Sequence, residues 1–146
     1  MKLKITVDKS SCRNTIQNLN AVVSGVHYGA KWATEQACRD IEELSLEQVP
    51  IETGTLAASI GHTVEKLPSK KFVGTVSYGN GNHINPRSGE AAQDYMVRQH
   101  EDLSYQHDVG KAKYLEDPCR AYADSDKYAE LLAEAARRAI NRRSKG

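Results

Sequence analysis

Apolar residues return every three or four positions along the first third of this chain: Ile16, Leu19, Val23, Val26, Ala30, Ala33, Ala37, Ile41 and Leu44. That spacing lays one stripe along one side of a long α-helix. Pro50 closes the pattern, because the residue before a proline is pushed out of the helical region. Gly25 and Gly29 lie beside the stripe. Each costs roughly 1 kcal/mol of helix propensity, so the pair predicts a bend or a close crossing with another backbone. Trp32, also beside the stripe, is positioned to anchor the helix to a sheet or to a neighbouring subunit.

The remaining pattern is shorter-ranged. Leu3, Ile5 and Val7 alternate with Lys2, Lys4 and Thr6, which predicts a strand with one wet face. Asp8 or Ser10 can cap the helix that follows. Thr53-Gly54 makes a turn, and Thr53 is placed to cap a short helix containing Leu56 and Ile60. His62 to Leu67 and Phe72 to Tyr78, joined by Pro68-Ser69-Lys70-Lys71, predict a β-hairpin. Gly79 to Gly89 is a turn-rich loop. Alternation of Tyr95, Val97 and Gln99 with Met96, Arg98 and His100 predicts a third strand. Asp117-Pro118 starts a last helical region, with proline in the first turn where its missing N–H costs little. A break at Ser125-Asp126 leads to an apolar stripe through Ala129, Leu132, Ala136 and Ile140. The expected fold is α+β: a small, mainly antiparallel sheet packed against a long N-terminal helix and a C-terminal helix, forming one domain over residues 1–146.

The balance of charge narrows the partners. With 20 Lys+Arg against 19 Asp+Glu, the chain has no global field to draw in nucleic acid or an anionic membrane. Cys12, Cys38 and Cys119 are odd in number and widely spaced, which fits a reducing compartment better than a disulfide framework. The first residues lack the apolar run of a signal peptide, and no segment approaches membrane-spanning length. The expectation is synthesis in a cytoplasm and no membrane partner.

Groups that carry chemistry are sparse. His100, Glu101 and His107 are the best metal-like cluster, but the spacing matches no strong zinc motif, and packed imidazoles account for it more simply. The glycines at 79, 81 and 89 do not make a phosphate loop, since Pro86 and Arg87 interrupt the pattern and no Gly-Lys-Ser/Thr follows. Glu42, Glu43, Glu47 and Glu52 read as solvated carboxylates. Cys38 has no histidine at helical spacing to activate it. Cys119, close to a helix start, is a position where a thiol pKa can fall, although a packed thiol is the simpler account. No cofactor site emerges. At the C-terminus Arg138, Arg142, Arg143 and Lys145 complement the helix dipole. Arg138, Arg142 and Lys145 also fall on one face, suited to DNA phosphates or an acidic partner.

Three segments in fixed order carry a family likeness. They are Pro50 through Ile60, with Thr53-Gly54-Thr55-Leu56 and Ser59; Tyr95 through Glu101; and Gly110 through Pro118, with Tyr114-Leu115-Glu116. In order and spacing, with the long first helix and the terminal helix around them, they resemble the minor capsid, or tail-completion, proteins of long-tailed bacteriophages. The resemblance spans nearly the whole chain, though each motif is short and none is specific alone.

The resemblance implies a non-enzymatic virion protein that forms a homo-oligomeric ring of six or twelve copies in the phage neck. Its partners would be portal, adaptor or stopper proteins on the head side and the tail terminator or tail tube protein on the other, with DNA passing through the lumen. Carried onto this chain, Pro50, Thr53, Gly54 and Leu56 would shape the turn after the long helix. Tyr95, His100 and Glu101 would sit at a sheet end near subunit contacts. Tyr114, Leu115 and Pro118 would dock the last helix. Asn80, Asn82, His83 and Arg87 in one loop, and His107 in the loop from Asp102 to Gly110, are the candidate contacts to the next subunit or ring. That second loop is longer than in the simplest tail components, which favours the minor-capsid branch. The alternatives are a tail-terminator ring capping the tube, a metal-dependent hydrolase using His100, Glu101 and His107, and a small nucleic-acid-binding module using the C-terminal basic residues.

Overall fold

The computed structural model describes residues 9–69, 71–104 and 108–143. The strand expected at Leu3, Ile5 and Val7 lies outside the described residues. In chain order the elements are α1 (Lys9–Leu46), α2 (Thr55–Ala58), β1 (Gly61–Lys66), β2 (Phe72–Ser77), α3 (Ala92–Glu101), α4 (Glu116–Ala123) and α5 (Lys127–Arg143). The fold is α+β, a two-stranded antiparallel sheet with a long N-terminal helix and a C-terminal helix.

The hairpin forms where alternation predicts it. Gly61 pairs with Ser77, Val64 with Gly74 and Lys66 with Phe72. The Leu67 N–H donates to the Lys71 carbonyl at 2.8 Å and closes the turn. The sheet lies on α1. A side chain at Gly74 would collide with Cys38, its Cβ falling 2.4 Å from the thiol sulfur.

α1 carries the expected stripe, but only part of it is covered. Ala33 and Ala37 are buried, whereas Ile16, Leu19 and Val23 are 57%, 60% and 66% exposed. Every residue from Cys12 to Asn20 is exposed. The helix stops at Leu46, before Pro50, and its last turn tightens as the Gln48 and Val49 N–H groups both donate to the Ser45 carbonyl. The two glycines mark a close crossing. A Cβ on Gly29 would stand 2.5 Å from the Ala135 Cβ, and one on Gly25 2.9 Å from that of Ala139. These pairings run α5 antiparallel along α1. Trp32 anchors α1 to α5 rather than to the sheet, with the Arg138 guanidinium 5.0 Å from its ring centre.

The third strand is not formed: residues 92–101 are helical. Ala92, Tyr95, Met96 and Gln99 follow helical spacing and turn inward, while Val97 is 60% exposed. Asp94 in the first turn and Arg98 and His100 in the last complement the helix dipole. Among the described residues the sheet therefore has two strands. The break at Ser125-Asp126 separates α4 from α5 as expected. Across it, Tyr122 donates its hydroxyl to Asp40 at 3.1 Å, and Tyr128 donates to Thr34 Oγ1, which itself donates to the Ala30 carbonyl.

Among the described residues, no helix is long and apolar enough to cross a membrane.

Candidate functional site

The three segments that carry the family likeness meet in one core. Leu56 comes from the first, Tyr95 from the second and Tyr114 from the third, joined by Val49, Tyr78 and Ala92. Tyr114 is 2% exposed and sets its ring edge-on to both Tyr78 and His100, each with centroids 4.9 Å away. Its hydroxyl donates to the Met96 carbonyl at 2.9 Å. Burial pushes that hydroxyl's pKa well above the usual tyrosine value, with the neighbouring Tyr78 and Tyr95 hydroxyls adding to the rise.

Ser45 ties this core to α1. It is fully buried, and its hydroxyl donates to the Tyr114 carbonyl at 2.6 Å. A serine has one hydroxyl proton, so the Tyr78 hydroxyl is the donor in the 2.8 Å contact with Ser45 Oγ. Nothing in the sequence pattern singled Ser45 out, since one serine in the last turn of a helix has no signature. Gly110 allows the third segment to cross the first. Its φ is 87°, and a Cβ there would lie 2.5 Å from the Val49 carbonyl oxygen. Beside it the Lys111 N–H donates to the Gln48 carbonyl and the Ile51 N–H to the Val109 carbonyl.

Around this core opens a cleft of about 580 Å³. Its walls come from the Pro50–Leu56 turn, from Asn85, Arg87 and Ser88, from Tyr95, Arg98 and Gln99 on α3, and from Asp108 and Val109. The two loops expected to make contacts thus converge, with the turn after the long helix, on one surface. The rim carries two ion pairs, Arg87–Glu52 at 2.9 Å and Arg98–Glu90 at 3.6 Å. Both are exposed, and exposed pairs contribute about 0–1 kcal/mol. Inside, the Gln99 Oε1 is buried with no hydrogen-bond partner among the described residues. Burial also raises the Tyr95 pKa, partly offset by hydrogen bonds with Asn85 and Thr55. Asn85, Glu90 and Arg98 become neighbours only through the fold; Glu52 is solvated as expected, whereas Glu42 is largely covered and faces His62 Nδ1 at 2.9 Å.

Asn80 is a turn-builder: its side-chain amide donates to the Ser77 carbonyl at 2.7 Å and the Ser59 carbonyl at 3.1 Å. Asn82 is exposed, and the half-buried His83 accepts the Ala92 N–H through its carbonyl. Tyr95 is 6% exposed, a core residue on a helix rather than a residue at a sheet end. Pro50 and Pro118 are buried, and Leu115 packs against the core. Thr53 does not cap α2. Its hydroxyl pairs with that of Thr55 at 2.8 Å, and the N-cap is Gly54 at φ 77°, with no side-chain hydrogen bond.

His100 is engaged at both nitrogens. Nδ1 faces Glu101 Oε1 at 2.8 Å, and Nε2 accepts the Glu116 N–H at 3.3 Å. Glu101 also takes an ion pair from Lys113, whose Nζ reaches Glu116 at 3.0 Å. Lys113 hydrogen bonding, then that of His100, holds the Glu101 carboxyl below its usual pKa; Glu101 in turn raises that of Lys113. Lys113 has φ 59°, the one positive φ outside glycine among the described residues. That twist directs its N–H to the His100 carbonyl at 2.9 Å. Among the described residues, no three His, Cys, Asp or Glu side chains converge as a metal site; His107 lies outside them. Cys119 departs from the lowered pKa open to it near a helix start: burial raises it, as it does for Cys38.

Arg138 and Arg142 do share a face. Both line a groove of about 550 Å³ between α1 and α5, beside Gly25, Gly29 and Trp32. The side chain of Arg143 and all of Lys145 lie outside the described residues.

No family model matches the chain, and neither a curated protein nor a solved structure shows significant similarity to it.

Proposed function

We propose that this chain is a structural virion protein that forms a ring in the phage neck, joining the head connector to the tail and letting DNA pass through its lumen. The observation that carries the reading is convergence. Three short sequence segments chosen for a family likeness build a single core, and the loops they flank open onto one cleft. A subunit of this kind works by shape. A closed ring repeats one heterologous interface around an axis, so each copy needs two different contact surfaces. The turn at Pro50–Leu56 and the loops around Arg87 and Val109 supply one rigidly based surface.

In this reading Arg142, on a helix bound tightly to α1, is the residue available to DNA phosphates or an acidic neighbour, while Arg138 beside it is paired with Glu134 and set over Trp32. A sequence-independent contact of that sort weakens steeply with salt.

The test is composition and position. Particles that contain the chain, examined by mass spectrometry and electron microscopy, are expected to show it in ring density between head and tail, at six or twelve copies. Recovery of the chain only outside particles contradicts the proposal. Recovery at the top of the tail tube, with head-side rings complete without it, assigns it instead as the tail terminator.

A further inference from the structure

The bare half of α1 is poorly suited to stand alone. Between Arg13 and Lys31 there is no Asp, Glu, Lys or Arg, so no i,i+4 ion pair supports the helix there. Asn14, Thr15, Asn18, Asn20, Val22, Val23 and Gly25 are all poor helix formers. Helices of this composition hold only when an apolar face is covered. The face exists, formed by Ile16, Leu19, Val23 and Val26, and it is open. With 38 residues α1 is about 57 Å long, and the sheet crosses it near Thr34 and Cys38, far from its first turns.

Charge says what covers it. The antiparallel crossing brings the basic end of α5 to the start of the bare half of α1, where Arg142 lines the groove between the two helices beside Arg138, itself paired with Glu134; Arg13 is the charged residue of the bare half. The other end of α1 is acidic, with Glu43 and Glu47 exposed one helical turn apart. Close to them in the chain are exposed apolar side chains, Leu46 and Ile51, and Val109 is joined to Ile51 through the backbone. One copy therefore carries an apolar stripe with basic flanks at one end and an apolar patch with acidic flanks at the other.

We propose that the N-terminal half of α1 docks head to tail on the Glu43–Ile51 end of a second copy of this chain. Apolar surface meets apolar surface, and opposite charges set the polarity and suppress the parallel arrangement. A head-to-tail contact leaves a free end on every copy, which is what ring growth requires. The inference rests on the ring reading above and names the surfaces that close it.

Two variants test it, both at exposed positions. In the arm variant Leu19→Lys is combined with Val23→Lys; in the socket variant Glu43→Lys is combined with Glu47→Lys. Circular dichroism and thermal melting of each at low concentration confirm folding, and Leu19→Gln with Val23→Gln replaces the first if the lysines melt the helix. Sedimentation velocity of the full chain is expected to show wild-type oligomers, and loss of assembly in each variant alone. Mixed one to one, the variants are expected to form a dimer and nothing larger, because one supplies an intact socket and the other an intact arm. Closed rings persisting in the arm variant overturn this inference and leave the ring reading standing. Loss of assembly without rescue on mixing overturns the head-to-tail polarity. A wild-type chain that stays monomeric at every concentration overturns both.

Discussion

The two halves of α1 carry the same repeat and meet opposite fates. From Ala33 to Ser45 the helix lies under the sheet, α4 and α5, and its small residues let neighbours come close. From Cys12 to Asn20 every residue faces solvent. Period alone therefore tells which side of a helix is apolar, and the neighbours decide whether that side is core. In the covered half, a change of one atom disturbs packing. In the bare half, large apolar residues contribute nothing to the isolated fold.

This contrast breaks first at the core. Tyr114→Ala removes a ring that touches Tyr78 and His100 and is expected to cost about 3–5 kcal/mol in urea unfolding. A loss under 1 kcal/mol would mean the three segments do not share a core. Next comes the helix crossing. Gly29→Val pushes a side chain into Ala135 and should destabilise by about 1–3 kcal/mol. An unchanged melting curve for that variant would show that α5 does not seat on α1. Ser45→Ala leaves the Tyr114 carbonyl and the Tyr78 hydroxyl short of a partner in a buried site, at a cost of about 1–3 kcal/mol.

The smaller effects sharpen the bare side. Leu19→Ala should change the stability of the monomer by no more than about 0.5 kcal/mol, since nothing in the described chain covers that residue. A larger loss in dilute protein would place a hidden contact there. The smallest effect is a pH dependence at Glu101. Its folded pKa is depressed, so its pairing with Lys113 and His100 contributes above the unfolded carboxylate value and is lost as pH falls through the folded one. Stability should decline on acidification below about pH 4.3. The Glu101→Gln variant should flatten that part of the profile; an identical slope in both proteins would remove the pair from the account.

Much of the scaffold was legible in the residues. The stripe from Ile16 to Leu44 marked α1, alternation around Val64 and Val76 marked the hairpin, and Ser125-Asp126 marked the break before α5. The error at residues 92–101 has a plain source. Tyr95, Val97 and Gln99 alternate as a strand would, while Ala92, Tyr95, Met96 and Gln99 fit a helix, and only burial chooses between the two periods. The cleft was half legible. Turn-rich composition marked the two loops that line it, but the pairing of Glu52 with Arg87 depends on backbone paths far apart in sequence. The role of Ser45 was not legible, because its partners Tyr78 and Tyr114 lie 33 and 69 positions away.

In the proposed assembly, a second copy covers the bare half of α1. Amide hydrogen exchange across residues 12–20, followed from dilute monomer to assembled protein, tests it most directly. Fast exchange in the monomer and strong protection in the assembly is the expected result. Protection already complete in the monomer, or exchange just as fast in closed rings, would contradict it.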